Sequence, residues 1–238
     1  SVEAKAYLKK VAQTAITGKS LESSMEYVSS LCVEAVENAK GEYDKIRVLC
    51  QPGGALDDSY CFKGVVIHKE FIMPNMSPNP NGSAILVNTG LKNEKMDDNV
   101  QVQFQSAQEF QTYKKETGRD VWVKKAEMIA GHLPDGGVVF SRETVNEVLA
   151  SLLARNNISV AHRIPESDMT ALSHLLETPV YHSPEDIQGA GKGTINQEII
   201  GDMKYIVVEG DADVTTLVLR GATRQTLDET ERGFEDAL

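Results

Sequence analysis

Two glycine-lysine segments carry the residue types that cradle phosphates. Gly18-Lys19-Ser20 ends like a Walker loop, in which glycines let backbone N–H groups approach phosphate oxygens and a lysine neutralises them. The full motif needs glycine where Gln13 stands and a strand where the spacing is helical, so the segment fails as a phosphate loop. Gly189-Ala190-Gly191-Lys192-Gly193-Thr194 fails too: no Ser or Thr follows Lys192 directly, Asp186 takes the leading glycine position, and Thr194 replaces the last glycine of a dinucleotide fingerprint. A flexible surface loop is expected there. The five histidines (His68, His132, His162, His174, His182) never fall at metal-ligand spacing, and no cysteine has a second one at finger spacing, so no metal site is expected. There is no Gly-x-Ser-x-Gly elbow for a serine hydrolase. Asp57-Asp58, after Pro52-Gly53-Gly54, fits turn residues opening a strand better than a catalytic carboxylate pair.

The elements that must hold these residues follow from periodicity. Ala4, Tyr7, Leu8, Val11, Ala12 and Ala15 repeat at helical spacing until Gly18. A second helix carries Leu21, Met25, Val28, Leu31, Cys32, Ala35, Val36 and Ala39, with Gly41 placed for a left-handed cap. Leu227, Thr230, Phe234 and Leu238 repeat the helical spacing at the other end. Short β-branched runs at 46–49, 64–67 and 84–87 predict strands, with a long Pro- and Asn-rich loop at 73–82. From residue 138 the rhythm alternates: strand 138–140, helix 142–155 capped by Ser141, strand 158–164, helix 166–177, strand 180–182. Such alternation predicts βαβ units and a parallel sheet. In the first of these helices Val145, Val148, Leu149 and Leu152 share a face. Strands 195–200 and 203–208 flank Gly201-Asp202 as a hairpin, and 214–219 is one more buried strand. Trp122, Val123, Ala126, Ile129, Ala130 and Leu133 form the apolar face of a helix lying on the sheet. Phe104, Phe110 and Tyr113 are scattered through a polar, Gln-rich approach interrupted by Gly118, either as an adaptable contact surface or as a satellite core.

Composition narrows the function classes. Lys+Arg 24 against Asp+Glu 35 leaves a formal charge of −11, which lacks the cationic footprint of nucleic-acid binding. A chain of 238 residues buries roughly 70–75% of its unfolded surface, enough for a core without disulfides. Three cysteines (Cys32, Cys50, Cys61), no apolar leader and no membrane-length apolar run predict a cytoplasmic protein with reduced thiols. Helical spacing running to both ends without caps predicts a piece of something larger.

Taken in order, several segments resemble one family. Residues 12–19 (Ala-Gln-Thr-Ala-Ile-Thr-Gly-Lys), 53–59 (Gly-Gly-Ala-Leu-Asp-Asp-Ser), 63–70 (Lys-Gly-Val-Val-Ile-His-Lys-Glu), 167–169 (Ser-Asp-Met), 216–223 (Thr-Leu-Val-Leu-Arg-Gly-Ala-Thr) and 231–238 (Glu-Arg-Gly-Phe-Glu-Asp-Ala-Leu) are collinear with the group II chaperonins, the archaeal thermosome and its eukaryotic cytosolic relatives. The resemblance covers essentially the whole chain and implies an α/β fold: an apical domain with parallel-sheet βαβ units and a helical protrusion, inserted in a discontinuous α/β intermediate domain. It implies intermediate-domain segments at 1–50 and 210–238, with the apical domain at 51–209 and a protrusion at about 103–133 serving as a built-in lid. The Gly-Asp-Gly-Thr phosphate loop of the family's equatorial domain does not occur in the chain.

By the same resemblance the parent is an ATP-driven chaperone that encloses unfolded proteins in a double ring of chaperonin subunits, using ATP and Mg2+. The chain alone is then expected to lack the ATP pocket, bind no cofactor and turn over no ATP. Asp236 matches the aspartate that positions the water attacking ATP, and Gly18 and Lys19 match the nucleotide-sensing loop near the γ-phosphate. Clients are expected at Phe104, Phe110 and Tyr113 on the protrusion and at Val148 and Leu152 on the 142–155 helix, whose sequence departs from the family's Gly-Ile-Asp-Asp-Leu-Ala-Gln-His-Tyr-Leu. No nucleic acid, membrane or metal is expected as a partner. The alternatives are a stand-alone apical-like binding module, or a small α/β enzyme with its site at the strand ends near Phe140-Ser141 and Ile164-Pro165.

Overall fold

The computed structural model describes residues 10, 25–73, 76, 82–92, 107–200, 202–224, 227–228 and 230–232, with the backbone alone at 25, 28, 107–118 and 200. The chain divides into two compact units, Ser1–His68 with Glu198–Leu238, and Lys69–Gln197.

In the first unit, helix α1 (Met25–Asn38) buries Leu31, Cys32 and Ala35 on one face. It ends where Gly41 N–H donates to Val36 O (2.8 Å) and Lys40 N–H to Glu37 O (3.1 Å). Both residues are left-handed, Lys40 at φ 52° and Gly41 at φ 80°, so the Schellman closure uses a lysine beside the expected glycine. The helix covers a sheet ordered β1-β11-β2, in which β1 (Ile46–Pro52) runs parallel and β2 (Tyr60–Lys63) antiparallel to β11 (Thr215–Gly221). Cys50 lies opposite Leu219 and Cys61 opposite Leu217. Leu217 and Leu219 pack with Leu31, Cys32 and Leu227, and all three cysteines join that cluster.

A second sheet, ordered β3-β10-β9, contains β3 (Val65–Ile67), β10 (Met203–Glu209) and β9 (Thr194–Ile200), whose last three residues belong to this unit. Val66, Tyr205 and Val207 pack there with Val218 of β11. Thr216 ties the two sheets: its Oγ1 donates to Gly64 O (2.8 Å) and accepts from Val66 N–H (3.3 Å).

The Lys69–Gln197 unit holds the parallel sheet, ordered β6-β5-β4-β7: β4 (Ser83–Val87), β5 (Gly137–Ser141), β6 (Ile158–Ala161) and β7 (Val180–Tyr181). Nearly every residue of β4, β5 and β6 is buried, the unbroken apolar run of strands covered by helices. Helix α2 (Ala107–His132) packs on α3 (Glu147–Arg155), α3 on β6, and α4 (Glu166–Leu175) on β4 and β7.

Three expectations change. Helix α3 begins at Glu147, capped by Asn146, and Ser141 is instead the buried last residue of β5. The backbone of 142–146 is spent on tertiary bonds: Arg142 N–H to Val87 O (3.1 Å) and Asn146 N–H to Leu91 O (2.7 Å). Helix α2 runs unbroken through Gly118, whose cost of about 1 kcal/mol relative to Ala the flanking helix formers absorb. Finally, the loop at 189–194 contains strand β8 (Gly191–Lys192), paired antiparallel with Ser83–Ala84 of β4. A Cβ on Gly191 would lie 2.6 Å from Leu176 O, so glycine serves close packing there.

Candidate functional site

Helix α3 presents a divided surface. Leu149, Ala150 and Leu153 are buried, while Val148 is 44% exposed and Leu152 half-buried on the outer side. Val145, expected to share their face, is buried before the helix starts. The Asn146 side chain accepts from Val148 N–H (2.8 Å) and Leu149 N–H (3.1 Å), satisfying two of the helix's orphan donors.

The loop that carries α3 is held from two neighbouring segments. After β6, Ile164 N–H donates to Ser141 O (3.1 Å), Arg163 Nε to Thr144 Oγ1 (3.1 Å), and Arg163 N–H to Glu143 O (3.4 Å). Val145 N–H donates to His162 Nδ1 (3.3 Å). Burial, then Arg163 and Lys69, holds the imidazole below its ordinary pKa, so the neutral ring accepts that bond. After β4, Lys92 pairs with Glu143 (2.7 Å), and Arg142 pairs with Glu166 of α4 (2.8 Å).

Helix α2 adds Val121 (45% exposed) and Met128 (38%), seven residues apart and so on one face. Sequence reasoning passed over this pair because the Trp122 face dominates the apolar pattern; the i, i+7 spacing beside it was the available signal. Phe110 and Tyr113 lie within α2, where the backbone alone is described. Phe104, Gly18, Lys19 and Asp236 lie outside the described residues.

In the other unit, segments distant in sequence meet at one junction. Gly53 bridges to Gly221, with Gly53 N–H donating to Gly221 O (2.9 Å). Arg220 Nε donates to Gly53 O (2.7 Å) and Arg220 N–H to Ser59 Oγ (2.9 Å). Tyr27 OH donates to Ser59 O, and burial, with the charges of Asp57, Glu34 and Asp58, raises its pKa and keeps the phenol protonated. Asp58 accepts from Ala55 N–H (2.8 Å), the turn role expected of the Asp57-Asp58 pair. Burial pushes the Cys32 and Cys61 thiols up to about 12, so neither is a thiolate nucleophile near neutral pH.

At the strand ends an α/β enzyme would use, Phe140, Ser141 and Ile164 are buried and Pro165 is exposed. Ser141 is fully buried and its Oγ donates to Glu143 O (3.0 Å). Among the described residues no cluster of three or more His, Cys, Asp or Glu has metal-binding geometry, and no helix is long and apolar enough to cross a membrane.

Comparison with known proteins bears on the family and the fold. The sequence profile of the TCP-1/cpn60 chaperonin family matches residues 1–238. The chain is 28% identical over 253 residues to thermosome subunit beta of Thermococcus kodakarensis, covering 100% of this chain and 45% of that protein. It is 30% identical over 247 residues to the thermosome subunit of Methanopyrus kandleri, covering 97% and 44%. An open-state monomer of a group II chaperonin from Methanococcoides burtonii superposes with a TM-score of 0.77 at 24% identity, covering 98% of this chain and 55% of that one. The chain thus spans less than half the length of these thermosome relatives.

Proposed function

Because the chain belongs to the TCP-1/cpn60 chaperonin family, we propose that it is the client-handling and hinge portion of an ATP-dependent chaperonin. On this reading the apical domain, 51–209, binds unfolded protein and forms the lid through the protrusion at about 103–133. The intermediate domain, from 1–50 and 210–238, couples ATP hydrolysis to closure. The partition of the chain into an inserted unit, Lys69–Gln197, and a unit built from both ends supports the inserted topology, although it groups 51–68 and 198–209 with the two ends.

One observation carries the client role: α3 leaves Val148 exposed beside half-buried Leu152 on a helix fixed by its cap and carrying loop. Apolar side chains on a rigid, exposed helix bury area against an extended chain at little ordering cost. By the family resemblance, Phe104, Phe110 and Tyr113 are further client contacts on the proposed protrusion. Replacing all five with alanine is expected to abolish capture of a chemically denatured model protein, measured as suppression of its aggregation. Undiminished suppression rejects the reading.

ATP and Mg2+ belong to a nucleotide domain of the full-length protein, where Mg2+ neutralises phosphate charge. Asp236 would orient the attacking water and Lys19, beside Gly18, would sense the γ-phosphate by charge. In the ring, other chaperonin subunits are the partners.

A further inference from the structure

We propose that His162 is a proton-operated release for the loop carrying α3: a proton taken up at Nδ1 frees Val145 N–H and loosens the helix that presents Val148 and Leu152. This rests on the reading of α3 as a client-binding helix. A neutral imidazole accepting at Nδ1 carries its own hydrogen on Nε2. Protonation puts a second N–H where the Val145 amide points, so the 3.3 Å bond becomes two donors facing each other. Val145 immediately precedes the Asn146 cap, so the lost bond lies at the root of the helix.

Burial and then neighbouring charges set the direction. Those facing the ring are Arg163 beside it and Lys69 from the start of the unit, both cationic. Of the nearby acids, Glu143 of the loop pairs with Lys92 through Oε1 while its Oε2 is buried without a hydrogen-bond partner, and Glu166 of α4 pairs with Arg142. With the folded pKa below the ordinary 6.5, the opened loop binds the proton better than the closed one. The clasp is therefore fully present above about pH 6.5 and is lost as pH falls below it. A loosened helix is no longer preorganised, and capture of unfolded protein weakens with it.

Three measurements on the 238-residue chain test this. Long-range proton–nitrogen NMR at pH 7.5 should find His162 as the Nε2–H tautomer; the Nδ1–H tautomer overturns the proposal without any variant. Hydrogen exchange at Val145, corrected for intrinsic rates, should show opening more frequent at pH 5.5 than at 7.5, by severalfold and by no more than about tenfold, the limit that linkage sets one unit below the ordinary pKa. In His162→Gln, whose carbonyl oxygen accepts without titrating, opening should not change with pH. PH-independent opening in the native chain overturns the clasp. Capture of a denatured model protein should weaken at pH 5.5 in the native chain and hold in His162→Gln; equal weakening in both overturns the release. Capture unaffected at pH 7.5 by Val148→Ala with Leu152→Ala overturns the client reading and the capture step, while tautomer and exchange still decide the clasp.

Discussion

Glycine in this chain has opposite meanings at two positions, and the difference is decided by a few ångströms. Gly54 sits at φ +87°, and a Cβ there would stand 2.8 Å from Asp58 Oδ2 and 3.1 Å from the Arg220 guanidinium. Gly131 lies in α2 with open space around its missing Cβ. Gly54→Ala should therefore cost about 1–3 kcal/mol, the usual strain of a left-handed non-glycine residue. Gly131→Ala should gain about 0.5–1 kcal/mol by removing backbone entropy from the unfolded chain. Urea midpoints with unchanged slopes measure both; shifts of the same sign would contradict the local geometry. Arg220 explains why the Gly53-Gly54 turn cannot relax. Its side chain and its backbone N–H reach residues on both sides of the 54–58 turn, Gly53 and Ser59.

At the scale of elements, the cap of α3 makes the sharpest prediction. Asn146→Ala removes acceptors for two buried or half-exposed amides at the helix start and should cost about 1 kcal/mol, a drop in Tm of roughly 2–4 °C. Calorimetry reads it directly, and Asn146→Asp, whose carboxylate still accepts both bonds, should lose little. That start was misplaced in the sequence because Ser141 and the apolar spacing after it mimic a helix entry; the bonds from 142–146 to Val87, Leu91 and His162 exist only in the folded unit. Local pattern did reveal the strands that are buried along their length, such as Val138 to Phe140, because a parallel sheet needs unbroken apolar runs. It missed β2 and β8, whose pairing to β11 and β4 depends on partners far along the chain. Val148 and Leu152 were legible as helix residues. His162 was not legible as their support, since a lone histidine carries no spacing signal and its partner is a backbone amide.

For the whole molecule, the two-unit division predicts separability. Phe71 N–H donates to Gln197 Oε1 (3.2 Å), joining the entry and exit of the Lys69–Gln197 unit. A unit with its own sheet and adjoining ends should survive excision. A 69–197 polypeptide is expected to unfold cooperatively with dispersed amide NMR signals; a collapsed spectrum would show that it needs the remaining chain. The other unit has no such independence, because its sheet pairs β1 with β11 and ties Gly53 to Arg220, 167 residues later. During synthesis at about 5–20 residues per second, β1 waits on the order of ten seconds for its partner strand. Throughout that interval its unpaired edge and the apolar face of α1 are open to any other extended chain. Until β11 is made, a chain proposed to handle incomplete polypeptides thus exposes the same kind of surface itself.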